Sequence, residues 1–392
     1  MSMSRSDRSR FATWWFTVDR VLLAAILVLI GTGIVLSLAA SPAVAIKKGF
    51  PMYYFVERHV VFSVLAALTM VAVSLLPPIG IRRLALGLLA VSAAGLIVVQ
   101  FSGEEINGAR RWLSIAGHSL QPSEFMKPGF VVLTAWLMAE AHTRKDVPAL
   151  PLAVLLVLGA AALLVMQPDV GQTLLVAAVW GALFFLSGQS LVGAAALAVL
   201  GSVGMVVAYN TFPHVQIRVD RFLTPSAGDF SQVDRAMKSF AEGGFLGRGP
   251  GEGTIKTSLP DAHTDFIFAV VAEEYGVIAC LALLFLFGFI VMRALMRAAQ
   301  EPDASTRLAI QGLALIFGLQ GLINMGVNVG LLPAKGMTLP FISAGGSSML
   351  AVAVMLGMLL GLTRRRPDPQ RLKKRRLMQT MPSFEPMSGT TR

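Results

Sequence analysis

Ten windows of roughly 20 mostly apolar residues run through this 392-residue chain, and they decide its solvent. A bilayer's hydrocarbon core is about 30 Å thick and an α-helix rises 1.5 Å per residue, so each window has the length of one crossing. They lie near Val21–Ala40, Val56–Leu76, Leu84–Phe101, Phe125–Ala141, Leu150–Met166, Gln172–Ser187, Leu191–Tyr209, Phe266–Met292, Leu308–Val329 and Ile342–Leu362. Composition agrees: 14% of residues are charged, against about 25% in soluble domains. The first window precedes Ala43-Val44-Ala45, which mimics a signal-peptidase site, but its apolar stretch exceeds the 7–15 residues of a signal core and is read as a retained span.

Ten spans place both termini on one side. Lysine and arginine test that arrangement, because cytoplasmic loops carry the excess. The tails and even-numbered linkers hold 20 of the 33 basic residues, nine of them from Arg364 onward. The odd-numbered loops hold the remaining 13, six of them in one long loop where acidic residues match them. The expectation is therefore an all-α polytopic membrane protein with both ends in the cytoplasm. A short N-terminal segment, 1–20, carries the interfacial aromatics Trp14, Trp15 and Phe16. The membrane domain covers 21–363, with a large extracytoplasmic loop at 210–265 between spans seven and eight. The tail, 364–392, is basic, then polar, and is expected to be disordered and drawn to anionic lipid. A net charge of +11 so distributed points to a membrane and not to nucleic acid. One cysteine, Cys280, excludes an internal disulfide framework, and the five histidines include no HExxH pair.

Polar residues at membrane depth are costly and mark function by default. In the connection between spans three and four, Arg110, Arg111, Glu124 and Lys127 lie close to the expected bilayer edge. Glu124 and Lys127 are three apart at a helix start, share a face and can pair, either as a surface ion pair or partly buried beside a cavity. The 210–265 loop is far longer than ordinary linkers. It offers Arg218, Arg221, Arg235, Lys238, Arg248 and Lys256 as cations, and Phe212, Phe222, Phe230, Phe240 and Phe245 as anchors. Its amphipathic stretch around Val233–Ala241 suits a membrane surface. The glycines Gly243, Gly244, Gly247, Gly249, Gly251 and Gly253 lack the Lys-Ser/Thr of a Walker loop. They fit either a backbone cradle for a phosphate or a plain hinge. The loop ends in LPDAHTDFIFAVVAEE. Asp265 stands where the polar loop meets the eighth span, positioned either as a base or as the helix N-cap, with His263 and Thr264 as hydrogen-bonding support. Glu273 and Glu274 form an acid pair about 12 Å deeper that must find partners in the bundle.

Four stretches in order, NGARRWL with QPSEFMK, QPDVGQT, the Gly-rich loop with LPDAHTDFIFAVVAEE, and LPAKGMTLPFISAGGSS, resemble the SEDS family (shape, elongation, division, sporulation) over essentially all ten spans. The form at Lys335–Ser343 is more similar to the division branch than to the elongation branch. The resemblance implies a peptidoglycan glycosyltransferase that polymerises lipid II into glycan strands at the division septum, working with a class B penicillin-binding protein and other division proteins. It assigns the essential aspartate to Asp265, and Arg111, Glu124, Lys127, Ser347 and Ser348 to substrate binding. The loop residues Arg248, Lys256 and His263 join that set, with a divalent cation such as Mg or Mn as an open option. Ala344, Pro250 and Glu242 depart from common family choices, and none removes a charge the mechanism needs. A lipid-linked precursor flippase and a non-enzymatic scaffold are the rival roles for the same spans.

Overall fold

The computed structural model describes residues 9–106, 109–115, 117–211, 216, 220, 232–259, 261–333 and 336–365. A helix lies over each of the ten apolar windows. In chain order, after a short α1 (Arg10–Thr17), these are α2 (Arg20–Lys47), α3 (Tyr54–Ser74), α4 (Pro78–Ser102), α5 (Pro122–Thr143), α6 (Ala149–Val165), α7 (Val170–Leu186) and α8 (Leu191–Thr211). The loop helix α9 (Gln232–Gly243) separates them from α10 (Ile267–Ala298), α11 (Ala304–Asn328) and α12 (Gly346–Leu362). Five of them, α2, α3, α4, α10 and α11, are long and apolar enough to cross a membrane by length and composition alone.

Burial sorts the helices. Nearly every residue of α12 from Ser348 to Leu362 is buried, which fits a helix that is apolar all round and sits at the centre of a bundle. It packs on α3, while α11 packs on α5 and α10. The peripheral helices turn large apolar side chains outward, among them Val64, Leu68, Val91, Leu155 and Phe285. In water such a surface invites association, and in lipid it is the normal exterior.

Two features depart from the sequence reading. The chain is not all-α: the connection between α4 and α5 folds into three short antiparallel strands, β1 (Glu104–Ile106), β2 (Ala109–Ile115) and β3 (His118–Leu120), in the order β1-β2-β3. Leu113 pairs with Leu120 across the second hairpin, whose turn contains Gly117 at φ 78°. A period-two segment only seven residues long is easily overlooked between two 20-residue apolar windows.

The second departure is that α10 is broken. Gly276 sits at φ 78° and ψ 177°, a conformation closed to ordinary L-residues, so the segment carrying Glu273 and Glu274 is separated from Val277–Ala298. Breaking a helix orphans backbone groups that must be repaired when buried. The Gly-rich loop repairs them: the Val277 and Ile278 amides donate to the carbonyls of Gly244 and Phe245, at 3.0 and 3.3 Å. In return the Arg248 and Gly249 amides donate to the carbonyls of Glu273 and Glu274, at 2.9 and 3.0 Å. The helix α9 that introduces this loop buries Ala236, Ser239 and Gly243 against α10. At 12 residues it is too short to cross a membrane.

At the opposite end of the bundle, Asp19 caps α2 through the amides of Val21 and Leu22 and pairs with both Arg293 and Arg297 of α10. Its carboxyl loses solvation there, yet the two guanidiniums and the cap amides hold it below the ordinary carboxylate range. Trp14 Nε1 donates to Ser74 Oγ at 2.8 Å, and Arg364 reaches Thr17 Oγ1 at 3.0 Å. The first and last described segments are thus tied to one end. The tail beyond Arg365, with its basic run, lies outside the described residues.

Candidate active site

The site is built from the other end, beginning with Asp265. It stands one residue before Phe266, the cap of α10, and is half-buried, and among the described residues its carboxylate oxygens accept no hydrogen bond. Capping is not its role. Phe266 is the cap residue, and the amide of Ala269 is taken by Asn328 Oδ1 at 3.1 Å, from another helix. Burial raises the Asp265 carboxyl to about 7, with Asp261 adding like-charge repulsion and the Arg111 guanidinium pulling the other way. A carboxyl held there is half-ionised at neutral pH and able to accept a proton.

Backbone contacts, not the side chains of its neighbours, hold this segment. Asn324 Nδ2 and Asn328 Nδ2 donate to the Asp265 carbonyl at 2.9 and 3.0 Å. Ser343 Oγ donates to the Thr264 carbonyl at 2.5 Å, and the Ala344 amide to the His263 carbonyl at 2.9 Å. The TLPFIS segment and α11 therefore grip residues 263–265 from two sides. The expected side-chain support from His263 and Thr264 is not what is found. Thr264 Oγ1 turns to the Asp261 carbonyl, and the His263 ring lies tilted at 41° against Phe55, centroids 4.9 Å apart, with Nδ1 unpartnered. Burial and the nearby Lys48 push His263 down to about 4 against the pull of Asp261, so it is neutral at pH 7.

Within electrostatic range of Asp265 begins a buried polar cluster that runs into the bundle. Arg111, presented by β2, donates to the carbonyls of Gln167 and Pro168 and pairs with Asp169 at 3.8 Å. Burial raises the Asp169 carboxyl, opposed by Arg111, and Asp169 in turn feels Glu124 and Lys127. Those two form an ion pair at 2.8 Å with side chains only 3% exposed, so the pair is not a surface one. It is fully engaged: Gln172 Nε2 donates to Glu124 Oε1 at 2.7 Å, and Lys127 Nζ to Gln320 Oε1 at 2.6 Å. Ser348 sits at the far edge, 3.4 Å from Glu124 Oε2 and 2.6 Å from Thr338 Oγ1. Ser347 is half-buried and makes no hydrogen bond among the described residues.

The structure thus joins Glu124 to Lys127 and Ser348 by direct contacts, sets Arg111 within electrostatic range of Asp265, and engages two loop cations elsewhere. Lys256 is buried, pairs with Glu274 and donates to the carbonyls of Ala39 and Gly251. Arg248 is partly exposed and engages Glu242 and Thr254. The Gly-rich loop does not offer a free phosphate cradle. The amides of Thr254, Ile255 and Lys256 converge on the Glu273 carboxylate at 2.6, 2.7 and 3.1 Å, and that of Gly251 on Glu274 at 2.9 Å. The acid pair finds its partners there. Arg218, Arg221 and Lys335 lie outside the described residues. Among the described residues no three His, Cys, Asp or Glu side chains converge into a ready-made cage for a divalent ion.

Sequence reasoning missed the amides. Gln172, Gln320, Asn324 and Asn328 are all buried; the two glutamines bond the Glu124–Lys127 pair and the two asparagines the Asp265 backbone. Gln320, Asn324 and Asn328 recur every four residues within an apolar window, one helical face spent entirely on hydrogen bonding. That spacing was the available signal.

A many-helix, lipid-facing bundle with a half-buried carboxylate and a guanidinium at one end is the architecture of a polytopic membrane protein whose polar site opens near the interface. The family model for FtsW, RodA and SpoVE, described as cell cycle proteins, matches residues 20–367, and this chain belongs to that family. A relative from Caulobacter vibrioides named probable peptidoglycan glycosyltransferase FtsW is 45% identical over 372 residues, 93% of this chain and 94% of its own. A Pseudomonas fluorescens relative of the same name is 34% identical, over 88% and 87% of the two chains. Among solved structures, a chain of a peptidoglycan synthase complex that coordinates polymerization and crosslinking aligns with a TM-score of 0.73 at 30% identity, covering 88% of this chain and 97% of that one. The rod shape determining protein RodA of Thermus thermophilus aligns at 0.64 and 29%, covering 89% and 97%.

Proposed function

We propose that this protein is a peptidoglycan glycosyltransferase that polymerises lipid II into glycan strands at the outer face of the cytoplasmic membrane during septal wall synthesis. The observation that carries the chemistry is the Asp265 carboxylate: half-buried, unspent by any hydrogen bond among the described residues, raised to about 7, and within electrostatic range of Arg111. Relatives named FtsW support the septal assignment.

The acceptor lipid II presents its sugar 4-hydroxyl to Asp265, which takes the proton as the oxygen attacks the anomeric carbon of the growing strand. The bond from that carbon to the lipid pyrophosphate breaks, and the pyrophosphate leaves with the electron pair. Arg111 is the cation placed to stabilise that developing charge, and preorganised electrostatics of this kind are often the largest catalytic contribution. Glu124, Lys127 and Ser348 fix the floor of the site, with Ser347 beside Ser348, while Arg248 is engaged by Glu242 and Thr254 in the loop. All ten helices span the bilayer in this reading, both termini are cytoplasmic, and residues 210–265 stand outside. The partner is a class B penicillin-binding protein, in keeping with the matched synthase complex.

The test is strand synthesis from labelled lipid II by the purified protein with its cognate penicillin-binding protein, native against Asp265→Ala. Ladders that vanish in the variant support the assignment. No ladder from either, with the pair shown to be folded and associated, moves the reading to a lipid-linked flippase.

A further inference from the structure

A residue just before a helix, with a short carboxylate side chain, normally turns back to cap the first-turn amides. Asp265 stands one residue before that position: Phe266 is the cap residue of α10, and its side chain cannot accept from the first-turn amides. Two asparagines of α11, neither a charged group nor one assigned above to substrate, serve this segment instead. Asn328 Oδ1 accepts from the Ala269 amide at 3.1 Å, so the cap is supplied from a different helix. Asn328 Nδ2 donates to the Asp265 carbonyl at 3.0 Å and to the Asn324 carbonyl at 2.9 Å. Asn324 Nδ2 donates to the same Asp265 carbonyl at 2.9 Å and to the Met337 carbonyl at 2.6 Å. All four hydrogen bonds from the two Nδ2 groups end on carbonyl oxygens, three in all, which settles which way each amide faces.

Both side chains are nearly inaccessible, 2% and 0% exposed, so neither meets substrate. A carbonyl oxygen has two acceptor directions, and two amides on one carbonyl fix the plane of that peptide. They are one helical turn apart on one face of α11, which is the spacing that lets both reach a single atom.

We infer that Asn324 and Asn328 are positioning residues that hold the Asp265 peptide in place, with Asn328 also capping α10 where Phe266 cannot, so that the carboxylate stays free to face substrate. Asn324 also ties the Met337 carbonyl, so the TLPFIS segment and the Asp265 segment share one support. The inference rests on the reading of Asp265 as the base.

Two near-isosteric substitutions separate this role from a merely structural amide ladder. Asn328→Asp keeps an acceptor for the Ala269 amide and loses both donors, while setting a like charge near Asp265. Asn324→Leu loses its donors with no change of charge. Strand synthesis by the full-length protein with its penicillin-binding partner is measured against pH and lipid II concentration, alongside thermal unfolding. The expected result is a fall in kcat of about tenfold or more in both, as small misplacements of a reacting group produce, with KM within about twofold of native. The acidic limb of the pH profile moves upward in Asn328→Asp and stays in place in Asn324→Leu, because only the former adds a like charge. Activity that falls only in proportion to the folded fraction, with the acidic limb unmoved in both, overturns the inference. Retained activity in Asp265→Asn, run in parallel, sinks the base reading itself. An inactive Asp265→Asn beside native-like Asn324 and Asn328 variants sinks only the positioning role.

Discussion

Asp265 and Glu273 stand eight residues apart, flanking the first segment of one broken helix, and both are acids beside buried apolar surroundings. Glu273 accepts three backbone amides from the Gly-rich loop, and its neighbour Glu274 accepts a fourth and pairs with Lys256. Asp265 accepts none among the described residues, while its own backbone is held by four donors on residues 263–265. The contrast shows what separates a structural acid from a reactive one in such a bundle. Lone pairs already used by the fold stabilise it, whereas lone pairs kept free by neighbours that perform the local structural work remain available for chemistry.

The contrast is most sharply tested at Asp265 itself. Asp265→Asn is nearly isosteric and is expected to cost about 10²–10⁴ in the rate of strand synthesis, the usual worth of a general base, with the fold intact. An unaltered rate with normal unfolding erases the distinction. At Glu274 the expected loss is of stability: Glu274→Gln leaves the Lys256 ammonium buried without its counter-charge, about 3–5 kcal/mol by thermal or denaturant unfolding in detergent. Glu273→Gln removes charge from the point where three amides converge and costs a few kcal/mol on the same reasoning. Were either glutamine variant as stable as native but catalytically dead, the two acids would have to exchange roles.

Proton linkage sharpens the comparison further. Because burial raises the Asp265 carboxyl above its unfolded value, the folded state holds a proton that the unfolded chain has lost between about pH 4 and pH 7. The stabilising contribution of that proton is complete below the unfolded value and is lost as pH rises through about 7. Asp265→Asn is therefore expected to gain melting temperature relative to native as pH climbs from about 5 to about 8, and native strand synthesis to rise over the same interval. A melting difference that does not change with pH contradicts the unspent-carboxylate reading. The smallest effect is expected at the exposed Arg248–Glu242 pair, where Arg248→Ala should change stability by less than about 1 kcal/mol.

The helices were legible because each apolar window imposes its own secondary structure in lipid, and a helix lies over every one. The family motifs pointed to Asp265, Arg111, Glu124, Lys127 and Ser348; the structure puts Glu124 in contact with Lys127 and Ser348, and Arg111 within electrostatic range of Asp265. Three things were not legible for identifiable reasons. The strands of 104–120 are too short to register against their flanking windows. The break at Gly276 depends on a partner loop some 30 residues earlier in sequence, and nothing local marks it except one glycine among apolar neighbours. The fates of Lys256 and the loop amides depend on which groups meet across helices, since a free cation and a buried structural one look the same in sequence. Asn324 and Asn328 carry no charge to mark them, although uncharged amides at membrane depth carry a similar demand for partners.

The interlock between the Gly-rich loop and the broken helix has a consequence for how such a chain tolerates mutation. A side-chain carbon added at Gly243 would strike the Ala272 carbonyl, one at Gly247 the Glu274 carbonyl, and one at Gly276 the Phe245 carbonyl. Each obstacle is main chain, so no change of residue type at the opposing position removes it. Damage at any of these three glycines is thus beyond rescue by a compensating substitution at its contact, and suppressor searches should return true revertants or distant stabilisers, never a matched local pair.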